Sequence, residues 1–258
     1  MTKPVEHTIS VGVEGNLRNI AVLKRGGSER AFFWLGGFKS DMAGSKARML
    51  DQLAASHGFA CTRFDYSGHG KSGGLFEDGT ISRWLEEALA VFETRTEGEQ
   101  IIVGSSMGGW LALLLVKALR TKYGNTNSRV RGVVLVAPAI DMTEVLMWDN
   151  FTPEVKAAMA RDGYFARPSE YSDDPYIITQ TLIEDGRNHL IGNSLIETGC
   201  PIRILQGMLD ADVPHEMATD LVSHIVTDDV ILTLVNDGDH RLSREQDLNL
   251  LANAVLTI

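Results

Sequence analysis

The sequence predicts an α/β fold in which helices cover both faces of a mostly parallel central sheet. Short β-rich runs alternate along the chain with longer amphipathic stretches, which is the pattern of strands joined by crossover helices. One run, Val130–Ala137, is strongly apolar, as expected for a strand buried on both faces. The chain has 258 residues, of which 44% are hydrophobic and 22% charged, so its length and composition suit one large domain of this kind.

Strands are assigned to short runs rich in β-branched, aromatic and other apolar residues, and helices to apolar side chains that recur every three or four residues. The predicted strands are Arg18–Lys24, Ala31–Leu35, Phe59–Asp65, Gln100–Val103, Val130–Ala137, Pro201–Gln206 and Val230–Val235. The predicted helices are Ala43–His57, which Gly58 ends, Ile81–Arg95, Ser106–Tyr123 and Ser243–Leu256.

The alternation fails between Pro138 and Cys200, where prolines, acidic residues and turn signals are mixed. Structureless loops beyond about 15 residues are uncommon in compact domains. We therefore predict a single domain over residues 1–258 with a small helical insertion at about 139–199, over one edge of the site. An apolar cluster begins the insertion and either lines an acyl pocket or packs the insertion onto the core. Its members are Met142, Val145, Leu146, Met147 and Trp148.

Composition and charge exclude several kinds of partner. The formal net charge of −10 disfavours nucleic acid and anionic membrane surfaces. Two cysteines cannot build a disulfide framework, and Cys200 has no Cys or His at metal-ligand spacing. The N-terminal residues carry no signal-peptide pattern, and no stretch reaches the roughly 18 apolar residues of a membrane helix. We expect a cytoplasmic protein, and the oligomeric state stays open.

The strongest chemical signal is Gly104-Ser105-Ser106-Met107-Gly108, which lies between a predicted strand and an apolar helix. This is a G-x-S-x-G motif in the strand-turn-helix context that gives it meaning. The glycines allow a strained turn, and the helix N-terminus favours a developing negative charge. Only Ser106 is centred between the two glycines, so it is the predicted nucleophile.

A serine hydroxyl needs a base, and the base needs a carboxylate that orients it. Among 7 histidines, His240 follows the last predicted strand and fits the chain order Ser, acid, His. The loop after Gln206 offers Asp210 and Asp212 as the acid. Asp141, after the strand Val130–Ala137, is a third candidate.

Stabilisation of a tetrahedral oxyanion needs two backbone N–H groups aimed at one point. The residue after the nucleophile, Met107, supplies one. The loop Gly36-Gly37-Phe38 follows the strand Ala31–Leu35 and supplies the other, which we assign to Phe38.

A second glycine-rich turn, Asp65 to Ser72, ends like a phosphate-binding loop. The pattern G-x-x-x-x-G-K-[ST] requires glycine where this chain has Asp65, and Gly73 and Gly74 interrupt any helix that would follow. A nucleotide site is therefore not expected at this turn.

Together, the turn from Asp65 to Ser72, the elbow VGSSMGGWL, the loop QGMLDADVP and the segment DHRL resemble the α/β-hydrolase fold over essentially the whole chain. In particular they resemble the mitochondrial abhydrolase-domain acyl-protein thioesterases, also described as acyl-glucuronide esterases. The resemblance aligns Ser106, Asp210 and His240 with the catalytic triad and places Asp212 at a spacer position. The chain shows no evident transit peptide, which suggests a prokaryotic relative.

The sequence thus predicts a serine hydrolase that cleaves a carboxylic ester or thioester through an acyl-serine intermediate, without a metal or cofactor. Its partner is expected to be a small or acylated substrate. A cofactor-free haloperoxidase or lyase would keep the same triad. The non-catalytic alternative is a receptor that binds a ligand in the hydrolase pocket. Labelling of Ser106 by a fluorophosphonate would favour the hydrolase over the receptor.

Overall fold

The computed structural model describes residues 3–124, 128–167, 175–225 and 229–258. Eight strands form one sheet in the order β1-β2-β4-β3-β5-β6-β9-β10, and β7 pairs with β8 in a separate hairpin. The strands are β1 (Val5–Val11), β2 (Arg18–Arg25), β3 (Ser28–Leu35), β4 (Phe59–Phe64), β5 (Gln100–Ser105), β6 (Val130–Val136), β7 (Tyr164–Arg167), β8 (Tyr176–Thr179), β9 (Ile202–Gly207) and β10 (Val230–Val235). The α-helices are α1 (Ser45–His57), α2 (Ile81–Arg95), α3 (Met107–Tyr123), α4 (Pro153–Asp162), α5 (Gln180–Gly186), α6 (His215–His224) and α7 (Glu245–Leu256).

The large sheet is mostly parallel, which confirms the predicted fold class. Only the pairs of β1 with β2 and of β2 with β4 are antiparallel. Every neighbouring pair from β4 to β10 in the sheet order is parallel. Their carboxyl ends therefore meet at one edge, where open α/β sheets bind ligands.

Two hydrophobic cores cover the two faces of the sheet, because successive strand residues point to opposite faces. In β3, Phe33 and Leu35 join the core that includes α2 and α3, whereas Phe32 and Trp34 join the core that includes α1 and α7. β3 is thus buried on both faces. Burial on both faces holds the strand ends, and the residues that follow them, in fixed positions.

Outside the insertion, one strand and one α-helix of the described residues were not predicted. Strand β1 alternates exposed and half-buried residues at the edge of the sheet, so it lacks a marked apolar run. Helix α6 buries only Ala218 and Leu221, with Met217 and Val222 partly buried against the core. Both elements contribute few fully buried side chains.

The segment 139–199, predicted as a small helical insertion, contains helical elements and also a β-hairpin. It contains helical turns at Thr143–Met147 and Trp148–Asn150, helices α4 and α5, and the antiparallel hairpin of β7 and β8. The strands are only four residues long, too short to carry a period, and they form by pairing with each other. Residues 168–174 of the predicted insertion lie outside the described residues. Among the described residues, no helix is long and apolar enough to cross a membrane.

Candidate active site

Four loops meet at the carboxyl edge of the sheet. They follow β3, β5, β9 and β10 and carry, in that order, Phe38, Ser106, Asp210 and His240. Each strand places its loop at the same edge because the four strands are parallel. Residues separated by 134 positions in the chain, such as Ser106 and His240, thereby come into contact.

Ser106 stands in a strained turn between β5 and α3, with φ 55° and ψ −123°. This left-handed φ is uncommon for a residue with a side chain and marks a functional turn. The two flanking positions leave no room for a side chain, so only glycine fits there. A Cβ atom at Gly104 would lie 2.2 Å from the Gly108 carbonyl oxygen, and one at Gly108 would lie 2.2 Å from the Leu35 carbonyl oxygen.

The structure brings Ser106, His240 and Asp210 into one hydrogen-bonded chain. The Ser106 hydroxyl lies 3.0 Å from His240 Nε2, and Asp210 Oδ2 lies 2.9 Å from His240 Nδ1. Because a carboxylate only accepts, Nδ1 carries the proton of the neutral ring and Nε2 is the free base facing the hydroxyl. This is the geometry of an activated serine nucleophile.

The carboxylate of Asp210 is fully buried and held by four donors. Its Oδ1 accepts the backbone N–H groups of Asp212 and Val213 at 2.9 and 2.8 Å. Its Oδ2 accepts the Gln206 side-chain amide at 3.0 Å in addition to His240. These hydrogen bonds fix the carboxylate oxygen that faces the imidazole. Sequence reasoning assigned no role to Gln206, although it opens the QGMLDADVP segment.

Asp141, the candidate acid that follows β6, is held by the insertion rather than by His240. Asp141 accepts the backbone N–H groups of Ile191 and Gly192 at 2.8 and 2.7 Å. It therefore fastens the end of the insertion to the end of β6. Asp239, the neighbour of His240, accepts the Leu242 N–H at 3.0 Å.

The loop that carries His240 is tethered to helix α1. The Lys46 ammonium donates to the Arg241 carbonyl oxygen, and the Ser45 and Ser243 hydroxyls lie 3.1 Å apart. Burial lowers the pKa of Lys46 to about 8. These contacts hold the histidine loop in addition to the hydrogen bond between His240 and Asp210.

The predicted oxyanion loop packs directly against the nucleophile. A Cβ atom on Gly37 would lie 3.2 Å from Ser106 Cβ, so glycine allows the backbone to approach the serine closely. Met107 is the first residue of α3, where backbone N–H groups have no partner within the helix. Gly37 and Met107 thus lie next to Ser106 from two elements, and the assignment of Phe38 and Met107 as oxyanion donors stays a prediction.

The predicted pocket residues differ in their environment. Met142 is buried in the core, whereas Leu146 and Trp148 are only half-buried against it. Two cations lie over the Trp148 ring, with Lys156 Nζ and Arg187 Cζ at 5.0 and 4.9 Å from its centre. An acyl-pocket role for these three residues stays a prediction.

One group of potential metal ligands occurs in the described part of the chain. Asp210, Asp212 and His240 bring one ligand atom each within 4.8 Å of one another. However, Asp210 already accepts four hydrogen bonds, and His240 presents a protonated nitrogen to it rather than a lone pair. The donor set therefore fits an acid–histidine pair better than a metal centre.

Comparison with known proteins identifies the family of the chain. Residues 36–247 match the family model described as serine aminopeptidase, S33. Palmitoyl-protein thioesterase ABHD10, mitochondrial, from Pongo abelii is 34% identical over 241 residues, which are 93% of this chain and 76% of that protein. The human protein of the same name is 33% identical over the same length.

Solved structures give the same result. A protein from Agrobacterium vitis S4, described as a hydrolase, shares 49% sequence identity and covers 99% of each chain with a TM-score of 0.95. Alpha/beta hydrolase domain-containing protein 10 from mouse shares 30% identity and covers 97% of each chain with a TM-score of 0.85.

Proposed function

The chain belongs to the hydrolase family described as serine aminopeptidase S33, and on that premise we propose that Ser106, His240 and Asp210 are its catalytic triad and fatty-acyl thioesters its preferred substrates. The family and the thioesterase relatives make the chain a serine hydrolase of esters or thioesters. One observation carries the triad assignment: the unbroken chain of hydrogen bonds from Ser106 through His240 to Asp210.

Acylation begins at Ser106. Its hydroxyl oxygen attacks the acyl carbonyl carbon while His240 Nε2 takes the hydroxyl proton. Asp210 stabilises the imidazolium that forms and keeps the ring oriented. Collapse of the tetrahedral intermediate breaks the bond from carbon to the leaving sulfur or oxygen, and the His240 proton goes to that leaving group.

Deacylation repeats the sequence with water. His240, now neutral, takes a proton from a water molecule that attacks the acyl-serine carbonyl. The second tetrahedral intermediate collapses, the acid leaves, and the proton returns to Ser106. In both intermediates the negative oxygen is proposed to accept hydrogen bonds from the Phe38 and Met107 backbone amides, a type of interaction whose loss costs about 10²–10³-fold in rate.

The choice of thioester over oxyester is supported by the relatives, which are named as palmitoyl-protein thioesterases. The triad itself can cleave either bond. The test is a rate panel that pairs acyl-thioesters with p-nitrophenyl esters of the same chain lengths, together with an aminoacyl p-nitroanilide as the amide arm. Higher kcat/KM for the thioester at matched chain length is expected.

Each alternative predicts a different result. Faster turnover of the anilide would make the chain an aminopeptidase, and faster turnover of oxyesters a carboxylesterase. Bromination that requires acetate, hydrogen peroxide and the enzyme, without esterase activity, would indicate a haloperoxidase, because the enzyme would then form the peracid that oxidises bromide. If a fluorophosphonate fails to label wild type and no substrate turns over, the receptor alternative stands. Ser106→Ala is the control in every assay.

A cytoplasmic location stays a prediction. The curated relatives are named as mitochondrial, so their names do not support it for this chain. Fractionation of the native host with an antibody to the chain would test it.

A further inference from the structure

The turn Asp65–Ser72 ends like a phosphate-binding loop, but its side chains accept hydrogen bonds from backbone N–H groups of the chain. Asp65 Oδ1 accepts the Met42 N–H at 2.6 Å, and Oδ2 accepts the Lys71 N–H at 2.8 Å. His69 Nε2 accepts the Lys39 N–H at 3.1 Å. The turn therefore holds the loop after β3 at two points, one of them directly after Phe38.

The hydrogen bonds of His69 define its tautomer. Its Nδ1 lies 3.1 Å from the Ser67 carbonyl oxygen, which can only accept. Nδ1 must then carry the ring proton, and Nε2 has the lone pair that receives the Lys39 N–H. A protonated ring would place a second donor against that N–H.

Lys39 needs this bond because of its own conformation. Its φ is 54°, in the left-handed region that is unfavourable for a residue with a side chain. The peptide group between Phe38 and Lys39 and the peptide group that carries the Phe38 N–H are both attached to the Phe38 Cα. The orientation of the first therefore affects the orientation of the second. If the Phe38–Lys39 peptide flipped, its carbonyl oxygen would face the lone pair of His69.

We propose that His69 is a positioning residue that, through the Lys39 N–H, keeps the Phe38 amide aimed at the oxyanion formed on Ser106. This inference rests on the proposed function. It assigns a use to the turn Asp65–Ser72, which no step of the mechanism otherwise involves.

The surroundings of His69 suit a fixed, neutral acceptor. Its ring is buried and lies 5.2–5.7 Å from the ring centres of Tyr66, Phe76 and Trp84. Phe38 packs edge-on against Phe76 and Trp84, so both partners share one aromatic cluster. Burial, followed by the nearby Lys39 charge, lowers the pKa of His69 to about 4, which keeps it neutral at ordinary pH.

Two substitutions separate the hydrogen bond from the packing. His69→Gln keeps an acceptor at the reach of Nε2 but loses the ring, whereas His69→Phe keeps the ring and loses the acceptor. We measure kcat and KM for one p-nitrophenyl ester and the inhibition constant of phenylboronic acid, whose tetrahedral adduct with serine also places an oxygen at the oxyanion position. His69→Phe is expected to lower kcat about 10- to 100-fold with KM within about threefold, since a misplacement of about 1 Å can cost 10²-fold.

The inhibition constant of His69→Phe should rise by a similar factor, and His69→Gln should stay within about fivefold of wild type in both measurements. The opposite ranking, with His69→Phe active and His69→Gln impaired, would show that only packing matters. If His69→Phe does not fold, His69→Asn replaces it, because its shorter amide can bond Ser67 but cannot reach Lys39. Full activity of His69→Asn would overturn the inference. Hydrolysis by wild type but not by Ser106→Ala keeps the proposed function separate from this outcome.

Discussion

The carboxyl edge of the sheet and the insertion at 139–199 are built in different ways. At the edge, Ser106 follows β5, which is buried throughout, and the loop Gly36–Phe38 follows the buried stretch Ala31–Leu35 of β3. The described part of the insertion consists of short helical turns, two short helices and a hairpin of two four-residue strands. Its helix α4 buries only Met159, and surface cations pack on Trp148.

This difference separates chemistry from selectivity. Transition-state stabilisation needs donors and bases held to within a fraction of an ångström, which buried strands supply. Recognition of an acyl chain needs apolar surface of suitable shape, which a small peripheral insertion can supply and vary. Substitutions at the edge should therefore remove activity, whereas substitutions in the insertion should change stability or substrate preference.

The largest expected effect is that of Ser106→Ala, which removes the nucleophile. Ester hydrolysis should fall about 10⁶-fold, as in serine hydrolases that lose this residue, and fluorophosphonate labelling should vanish. Ser105→Ala is the matched control, since Ser105 is the last residue of β5 and lies outside the hydrogen-bonded chain. Equal and complete loss in both folded variants would contradict the choice of nucleophile.

Asp210→Asn should lower kcat about 10⁴-fold with the fold preserved, because His240 would lose its tautomer and the charge that stabilises imidazolium. Asp212 contributes its backbone N–H to Asp210, so Asp212→Asn keeps that bond and should stay within about tenfold. Steady-state kinetics on the two variants checks this. A kcat of Asp210→Asn close to that of wild type would show that Asp210 is not the acid of the triad.

The free energy of unfolding at acid pH tests whether the His69 ring is buried and neutral in the folded protein. The pKa of His69 is lowered from about 6.5 to about 4, so between these values the unfolded chain binds a proton that the folded chain does not. The His69 contribution to the free energy of unfolding should therefore fall as the pH falls through this window, by about 3 kcal/mol in all. Urea denaturation of wild type and His69→Gln between pH 7 and 4 should show a flatter profile for the variant. Parallel profiles would contradict a buried neutral ring.

Asp141→Asn should act on the insertion rather than on the chemistry. Asparagine tolerates the left-handed backbone of this position, where φ is 53°, but can accept only one of the two N–H groups that Asp141 now holds. The free energy of unfolding should fall by about 1–3 kcal/mol, while kcat stays within about tenfold. Chemical denaturation and kinetics on the same preparation measure both. Lost activity with unchanged stability would make Asp141 the acid of the triad.

Trp148→Ala should give the smallest effect, a change of about threefold or more in the ratio of kcat/KM between long and short acyl chains. The expectation depends on Trp148 lining the acyl pocket at the start of the insertion. Val145→Ala, an exposed neighbour on the same segment, is the control. An unchanged chain-length profile would mean that Trp148 only packs the insertion, together with Lys156 and Arg187, onto the core.

The sequence by itself determined the parts that depend on local pattern. Alternating strands and helices indicated the fold class, and the glycines around Ser106 indicated the elbow, because a tight strand-to-helix turn excludes side chains there. Chain order selected His240. The residues alone left Asp210 and Asp212 as equal candidates for the acid, and only resemblance to a family separated them.

Tertiary structure decided what depends on distant contacts. The hairpin of β7 and β8 forms through pairing between strands that are each too short to show a period. Asp141 holds residues 191 and 192, and His69 holds Lys39 across 30 positions of the chain. Neither contact has a local signature, since a buried polar side chain takes whichever partner the packed chain brings within reach.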